Sequence, residues 1–397
     1  MADWLKGVLM LAAAGLAQPA AAQSLGEAVA AGKPILEVRW RGEAVAQQGL
    51  ANDAQALTLR TRLGWETGDW HGLKALVEVE NVSAGGHYND GVPPAEPYPV
   101  IGDPEVTELN RAQLSWTPDA NTAVTVGRQR IVLDDQRFVG NSGWRQDELT
   151  VDAVRGDFKV GKLAVTGAWI GHINRVFAED LDWDSDSWLA RASYPVSDLF
   201  TPAAFVYALD FDNAPASSGL TSGVRVTGKT AAGPVALSYA ASYAHQTPYG
   251  ANPGEFGLDY AAAELAGTYK AVTLRGAYEQ LEGDGVRGFA TPLATLHAFQ
   301  GWADVFLTTQ ADGIEDRNLS LVFKPKAPAP LKSLEATIRR HEFETERTGL
   351  PLGSEWDLLV SAGLTKNFSA VAKFADYEGV PGLASRTKLW FGIEFKL

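Results

Sequence analysis

The last ten residues, Lys388 to Leu397, constrain the fold more than any other stretch of the chain. Leu389, Phe391, Ile393, Phe395 and Leu397 are large and apolar, and Lys388, Trp390, Gly392, Glu394 and Lys396 interleave with them. A period of two sends alternate side chains to opposite faces of a strand. One face is therefore purely apolar and the other carries charge. The edge of a soluble sandwich meets the same description. A chain ending on such a strand, however, matches the closing strand of an outer-membrane β-barrel, whose apolar face meets lipid and whose polar face meets water.

The other end of the chain favours the barrel. Met1 to Ala22 reads as a secretory signal: Lys6, an apolar run from Gly7 to Ala17, then the small triplet Ala20 to Ala22. That run is too short to cross a bilayer, and the triplet suits a peptidase. Residues 1–22 are accordingly read as a cleaved signal peptide and 23–397 as one barrel domain. No later stretch approaches ~18 consecutive apolar residues, which excludes a helical membrane protein. The mean hydropathy of −0.10 is compatible with a barrel, because only every second strand residue faces lipid. The absence of cysteine excludes a disulfide framework, and the net charge of −14 argues against nucleic acid as a partner.

Between the ends, strand-like segments succeed one another with almost no helical periodicity. Ile35 to Val45 sets Leu36, Val38 and Trp40 against Glu37, Arg39, Arg41 and Glu43; Ala56 to Glu66 and Leu73 to Asn81 follow the same rule. A Gly/Pro-rich loop is expected from Ser83 to Pro104, then a strand from Leu109 to Thr117. Beyond it, tight turns alternate with longer connections at Leu133 to Glu148, Asn174 to Ser187, Asn213 to Ser222 and Gln246 to Gly257. Sorting short turns to one end and loops to the other is the habit of bacterial barrels. Such barrels have an even strand number, so Phe299 to Thr309 is read as part of one loop, Leu281 to Asp316, rather than as a nineteenth strand. The fold class expected is an all-β, antiparallel transmembrane barrel of about eighteen strands.

Four stretches, Val126 to Asp147, Gln300 to Asp304, Ala311 to Asp316 and Gly353 to Asp357, resemble the alginate-export family of outer-membrane barrels. The resemblance covers nearly all of the mature chain and implies a monomeric eighteen-stranded porin-like barrel. It also implies a pore lined with arginines that passes an anionic polysaccharide. This chain is shorter than the family's best-known member.

Read independently, the polar faces of the strands carry Arg39, Arg41, Arg60, Arg62, Arg111, Arg191, Arg225, Arg275, Arg339 and Lys388. Arginine is always charged and its planar fork fits carboxylates, so such a ladder suits sliding contact with an anion. The same faces carry glutamates, among them Glu37, Glu43, Glu78, Glu80, Glu264, Glu279 and Glu394, so pairing that merely braces the wall is the competing reading. The facing of Arg128 and Arg130 is open, since they share the phase of Val124 and Val126; a bulge near Gly127 would reverse it. Two loops are candidates to narrow the lumen: one through Asp134, Asp135, Arg137, Trp144 and Arg145, the other through Phe299, Trp302, Val305, Phe306 and Leu307. Left in water, that second cluster would be a sticky patch.

Asp182, Asp184 and Asp186 open like a calcium loop but lack its glycine and its closing glutamate, so a solvated acidic loop is the better reading. Trp40, Trp65, Trp116, Trp188, Trp356 and Trp390 fall on apolar faces or strand ends, which fits interfacial girdles, although carbohydrate stacking inside the lumen would also use aromatics. No catalytic spacing and no cofactor motif is present, and no enzyme activity is expected. The sequence thus predicts a channel in the outer membrane of a Gram-negative bacterium, for anionic solutes, saccharides or polysaccharide. A general diffusion porin and a plugged scaffold or adhesion barrel are the alternatives. Expected partners are outer-membrane lipid and lipopolysaccharide, an anionic or saccharide solute, and the barrel-assembly machinery through the C-terminal strand.

Overall fold

A computed structural model of the chain describes residues 24–177 and 179–397; the signal segment predicted at 1–22 lies outside the described residues. A short helix, α1 (Leu25–Ala30), opens on a capping box in which Ser24 and Glu27 each bond the other's backbone. Strands β1 (Lys33–Gln47), β2 (Ala54–Glu66), β3 (Leu73–His87), β4 (Val106–Asp119), β5 (Thr122–Gln129) and β6 (Thr150–Val160) follow. Next come β7 (Leu163–Asn174), β8 (Trp183–Ser193), β9 (Thr201–Leu209), β10 (Gly219–Ala232), β11 (Val235–Thr247) and β12 (Leu258–Tyr269). The last six are β13 (Val272–Leu281), β14 (Ile314–Phe323), β15 (Ser333–Glu344), β16 (Pro351–Gly363), β17 (Phe368–Gly379) and β18 (Arg386–Lys396).

Every strand pairs antiparallel with its sequence neighbours, and β1 pairs with β18 through eleven residues from Glu37–Lys396 to Gln47–Arg386, closing an eighteen-stranded barrel. Closure leaves no edge, so the backbone N–H and C=O groups of the wall pair along the ladders without water, interrupted at register shifts such as Glu78/Val79 and Asp152/Ala153. The expected strand number and class are those observed.

Alternation fixes the facing. Along β18, Leu389, Phe391 and Ile393 are exposed to the outside while Lys388 and Trp390 are buried within. Leu57, Leu63, Leu114, Val224, Leu265, Leu274 and Leu319 continue the outer apolar band, each more than half exposed. A water-soluble protein would not present such a surface; lipid covers it at no cost. Ala120–Asn121, Gly161–Lys162, Gly233–Pro234 and Lys270–Ala271 make two-residue turns at the end where β1 begins and β18 ends, and the connections 88–105, 130–149 and 282–313 stand at the other.

Several local expectations need correction. β3 runs on to His87, because Gly85 and Gly86 keep the ladder with Leu57 and Ala56; the loop begins at residue 88 rather than at Ser83. The acidic run is not a loop: Asp184 and Asp186 lie in β8, where pairing with β7 brings Asp182 and Asp184 to His172 and Asp186 to the Trp169 indole N–H, at 2.7 Å. Trp390 is not at an interface. It points inward at 1 % exposure, whereas Trp40, Trp65, Trp116, Trp188 and Trp356 face out. No bulge forms at Gly127, and β4 and β5 stay in register through it. Arg128 keeps the outward phase and pairs with Asp152 at 2.8 Å, while Arg130 turns inward to Glu148.

Candidate functional site

The two loops named from sequence meet inside the barrel. Residues 130–149 and 282–313 touch edge to edge, with Gly140 N–H donating to the Leu293 carbonyl at 2.8 Å and Val139 bridging Leu293. Their apolar residues pack on an apolar upper wall. Phe138 lies against Phe205, Tyr260 and Phe289, and Phe306 against Phe343 and Tyr377. Sequence reasoning missed that wall. Its signal was present in β9, where Ala203 to Leu209 is apolar on both faces and the period of two fails.

Polar pins fix the loops in place. Arg137, 2 % exposed, holds Glu279 of β13 at 2.6 Å and Thr291 at 3.0 Å, and its guanidinium lies 4.7 Å from the Phe299 ring. Asp304 accepts from Lys388 of β18 at 2.8 Å and from Arg145 of the other loop at 2.9 Å, and His297 lies 2.7 Å away. Arg386 donates to the Ala303 and Asp304 carbonyls, and Ala303 N–H reaches Glu355 of β16 at 2.7 Å. Gly301 makes this approach possible. Its φ is +82°, and a Cβ there would stand 2.4 Å from the Glu355 carboxylate.

Beside Asp304, Lys373 of β17 points into a cage formed by Trp302 and Trp144, with ring centroids at 3.7 and 4.2 Å. Trp144 stacks on His297 at 4.9 Å. The His297 Nδ1–H donates to Asp304, which leaves Nε2 to accept from the Lys373 ammonium at 2.5 Å. Burial, with Lys373 adding to it, pushes His297 down to about 3. Burial opposes the Asp304 charge, yet His297, Lys388 and Arg145 hold that carboxyl well below the usual carboxylate range.

A pH dependence follows. An ordinary imidazole titrates near ~6.5, so between about pH 6.5 and 3 the unfolded chain takes up a proton that folded His297 refuses. The stability His297 contributes is complete above that window and falls as pH drops through it, by up to ~1.4 kcal/mol per pH unit. Thermal midpoints measured from pH 7 to 4 should therefore decline less steeply in His297→Gln than in the parent chain.

Strand alternation turns the side chains of the nine predicted arginines to the interior. Most are engaged by protein groups. Arg41 binds Asp103 and the Trp144 carbonyl, and Arg60, 2 % exposed, reaches Glu394 at 3.0 Å and Glu37 at 3.3 Å. Arg62 pairs with Glu80 and Glu148, Arg111 with Glu78 at 2.8 Å, and Arg275 with Glu264 at 3.5 Å. Arg191 and Arg225 are held by Asp134 and Asp135 of the first loop, so those predicted wall cations and loop acids prove to be each other's partners. Arg39 binds only carbonyls and the Gln146 amide, and Arg339 lies 5.4 Å from the Trp302 ring.

Space remains on either side of the pinned loops. A cavity of about 300 Å³ is lined by Arg39, Arg60, Arg62, Arg130 and Lys396 against Glu37, Glu148 and Glu394. It adjoins one of about 390 Å³ that also touches Arg39 and Glu394 and is walled by Trp144 and several serines. A third, about 320 Å³, sets Arg225, Arg275 and Arg339 against Asp135, Glu264, Glu279 and Asp316. The first holds two more cations than carboxylates; in the third the three arginines and His341, which lies 2.8 Å from Asp316, face four carboxylates.

No protein-family model and no curated protein matches the chain. Solved structures do. OpdO of Pseudomonas aeruginosa superposes with a TM-score of 0.71 at 13 % identity, over 94 % of this chain and 98 % of that one. OccAB4 of Acinetobacter baumannii gives 0.71 at 12 % identity over 92 % and 98 %, and OccK9 (OpdG) of P. aeruginosa 0.71 at 13 % over 93 % and 100 %. The likeness is one of fold. It overturns the resemblance to alginate exporters, since the matching barrels are Opd and Occ outer-membrane channels. The stretch that carried that resemblance has a structural explanation in this chain. A Cβ on Gly127 (φ +109°) would strike the Ala112 carbonyl, and Arg130 and Asn141 both bind Glu148.

Proposed function

We propose that this chain is an outer-membrane channel for small solutes, with a modest preference for anions. The observation that carries this reading is the cavity shared by Arg39 and Arg130, where five cations face three carboxylates beside the pinned loops. The fold it shares with Opd and Occ channels, at near-complete coverage of both chains, supports passage of solutes and a place in the outer membrane. The preference is modest because bracing neutralises most of the ladder, which also brings a general diffusion porin close to this reading. Pairing consumes charge that a naked ladder would offer to a solute.

Single-channel recording in a planar bilayer, with reversal potential under a potassium chloride gradient, tests it. Chloride should be favoured by at most about 5-fold, the equivalent of ~1 kcal/mol for a solvated charge near 4 Å. Arg39→Ala should bring the ratio toward one at less cost in folding than the loss of a paired arginine, because Arg39 is partly exposed and its bonds go to the Gln146 amide and backbone carbonyls rather than to a carboxylate. Conduction without preference in the parent chain would leave the general porin; absence of conduction would leave a closed barrel.

A further inference from the structure

Two carboxylates beside Glu80 stand outside the ion pairs that surround them. On the β1–β2 wall, Arg60 and Lys396 serve Glu37 and Glu394. Arg62, Arg111 and Arg130 serve Glu78, Glu80 and Glu148. Each set balances. Glu108 and Asp147 are left over, two formal negative charges in no ion pair among the described residues.

These two lie against Glu80. Glu80 of β3 and Glu108 of β4 are direct partners across the ladder, an arrangement that is repulsive for two bare carboxylates. Asp147, near the end of the 130–149 loop, completes a triad in which one carboxylate oxygen from each residue lies within 4.8 Å of the other two. Glu80 and Asp147 are fully buried. Neither Asp147 oxygen accepts a hydrogen bond, and Glu80 Oε1 and Glu108 Oε1 are likewise without a partner. Asn110, also fully buried and two residues along β4 from Glu108, spends its amide hydrogens on Glu78 and Glu148 and leaves its carbonyl oxygen unpartnered.

Unpaired buried carboxylates are too costly to leave bare, so either protons or a cation must occupy the triad. The spacing favours a cation: oxygens ~2.4 Å from a common calcium stand at most ~4.8 Å apart. The excess of two negative charges equals the charge of one divalent ion. All the donors are oxygen, which selects a hard metal, and full burial of two of them leaves little room for the waters that magnesium retains. Glu108, partly exposed, provides the way in.

We propose that Glu80, Glu108 and Asp147 bind a calcium ion, which staples the exit of the 130–149 loop to β3 and β4. The site stands on charge balance and donor geometry, and does not depend on what the barrel transports. Without the ion, burial and then Glu108 and Glu80 push the Asp147 carboxyl well above its ordinary range, so a shared proton is the rival occupant.

The test is calorimetric titration of calcium chloride into the full-length folded barrel, stripped with chelator in detergent, beside Asp147→Asn and Glu108→Gln, with folding checked by heat-modifiable gel mobility. One calcium per chain is expected, with a dissociation constant at or below about 1 mM, weaker uptake of magnesium, and loss of that equivalent in either variant. Calcium should raise the melting midpoint of the parent chain alone. Equal uptake by parent and variants would overturn the proposal. So would no uptake by the parent chain, whether or not the variants fold; variants that then melt higher than the parent would assign the triad to a shared proton.

Discussion

Asp304→Ala is expected to raise single-channel conductance several-fold and to lower the stability of the folded barrel by about 3–5 kcal/mol. Asp304 is the point at which the 282–313 loop is tied both to β18 and to the 130–149 loop, through Lys388 at 2.8 Å and Arg145 at 2.9 Å. Removing one member of a buried ionic group strands the others, and their desolvation is then uncompensated. Lys388 keeps Glu43 at 3.1 Å, so the wall retains its partner while the loop end loses its anchor. Planar-bilayer steps and the temperature of the gel-mobility transition read the two effects separately. Conductance unchanged in a folded variant would show that the loop does not obstruct the path.

Arg137→Ala should act on the other loop with a similar loss of about 3–5 kcal/mol, since it leaves Glu279 buried with no cation. Glu279 would retain the Tyr260 hydroxyl at 2.9 Å and the Gln300 amide, which favours survival of the fold. The guanidinium also spans to Thr291 and Gln300, so the variant removes one tie between the loops as well as the tie to the wall. Because Arg137 and Asp304 restrain the same 282–313 loop, the conductance gains of the double variant should fall short of the product of the single gains. The same recordings check this, with chemical unfolding of each variant for the stability terms.

The arginine ladder shows how far a site can be read from a chain alone. Strand phase gives the facing of Arg60 or Arg111 correctly, since a period of two leaves only two choices. It cannot give their partners. Arg191 was legible as a wall cation and Asp134 as a loop acid, yet their pairing joins residues 57 positions apart in sequence. Trp390 was misplaced for a related reason. Trp390 lies mid-way along β18 on its inward face, where Trp144 and His297 arrive from two loops to pack on it. Asp147 shows the same limit, for nothing in Gln146–Glu148 indicates that it meets a cross-strand glutamate pair.

The sequence by itself determined the barrel. Alternation, paired with tight turns at one end, specifies which face each strand gives to lipid, and an even count with a greasy terminal strand specifies closure, because these are local properties of backbone geometry and solvent. Only the tertiary structure decided what fills the barrel. Once the wall has closed, two loops must bury their aromatic residues somewhere, and the apolar upper lumen receives them. Every charge they carry inward has to find a partner at low dielectric, and those partners lie far away along the chain. The resulting network, with Asp304 and Arg137 as its pins and the Glu80–Glu108–Asp147 triad as an acidic corner, is a property of the closed barrel and of no segment within it.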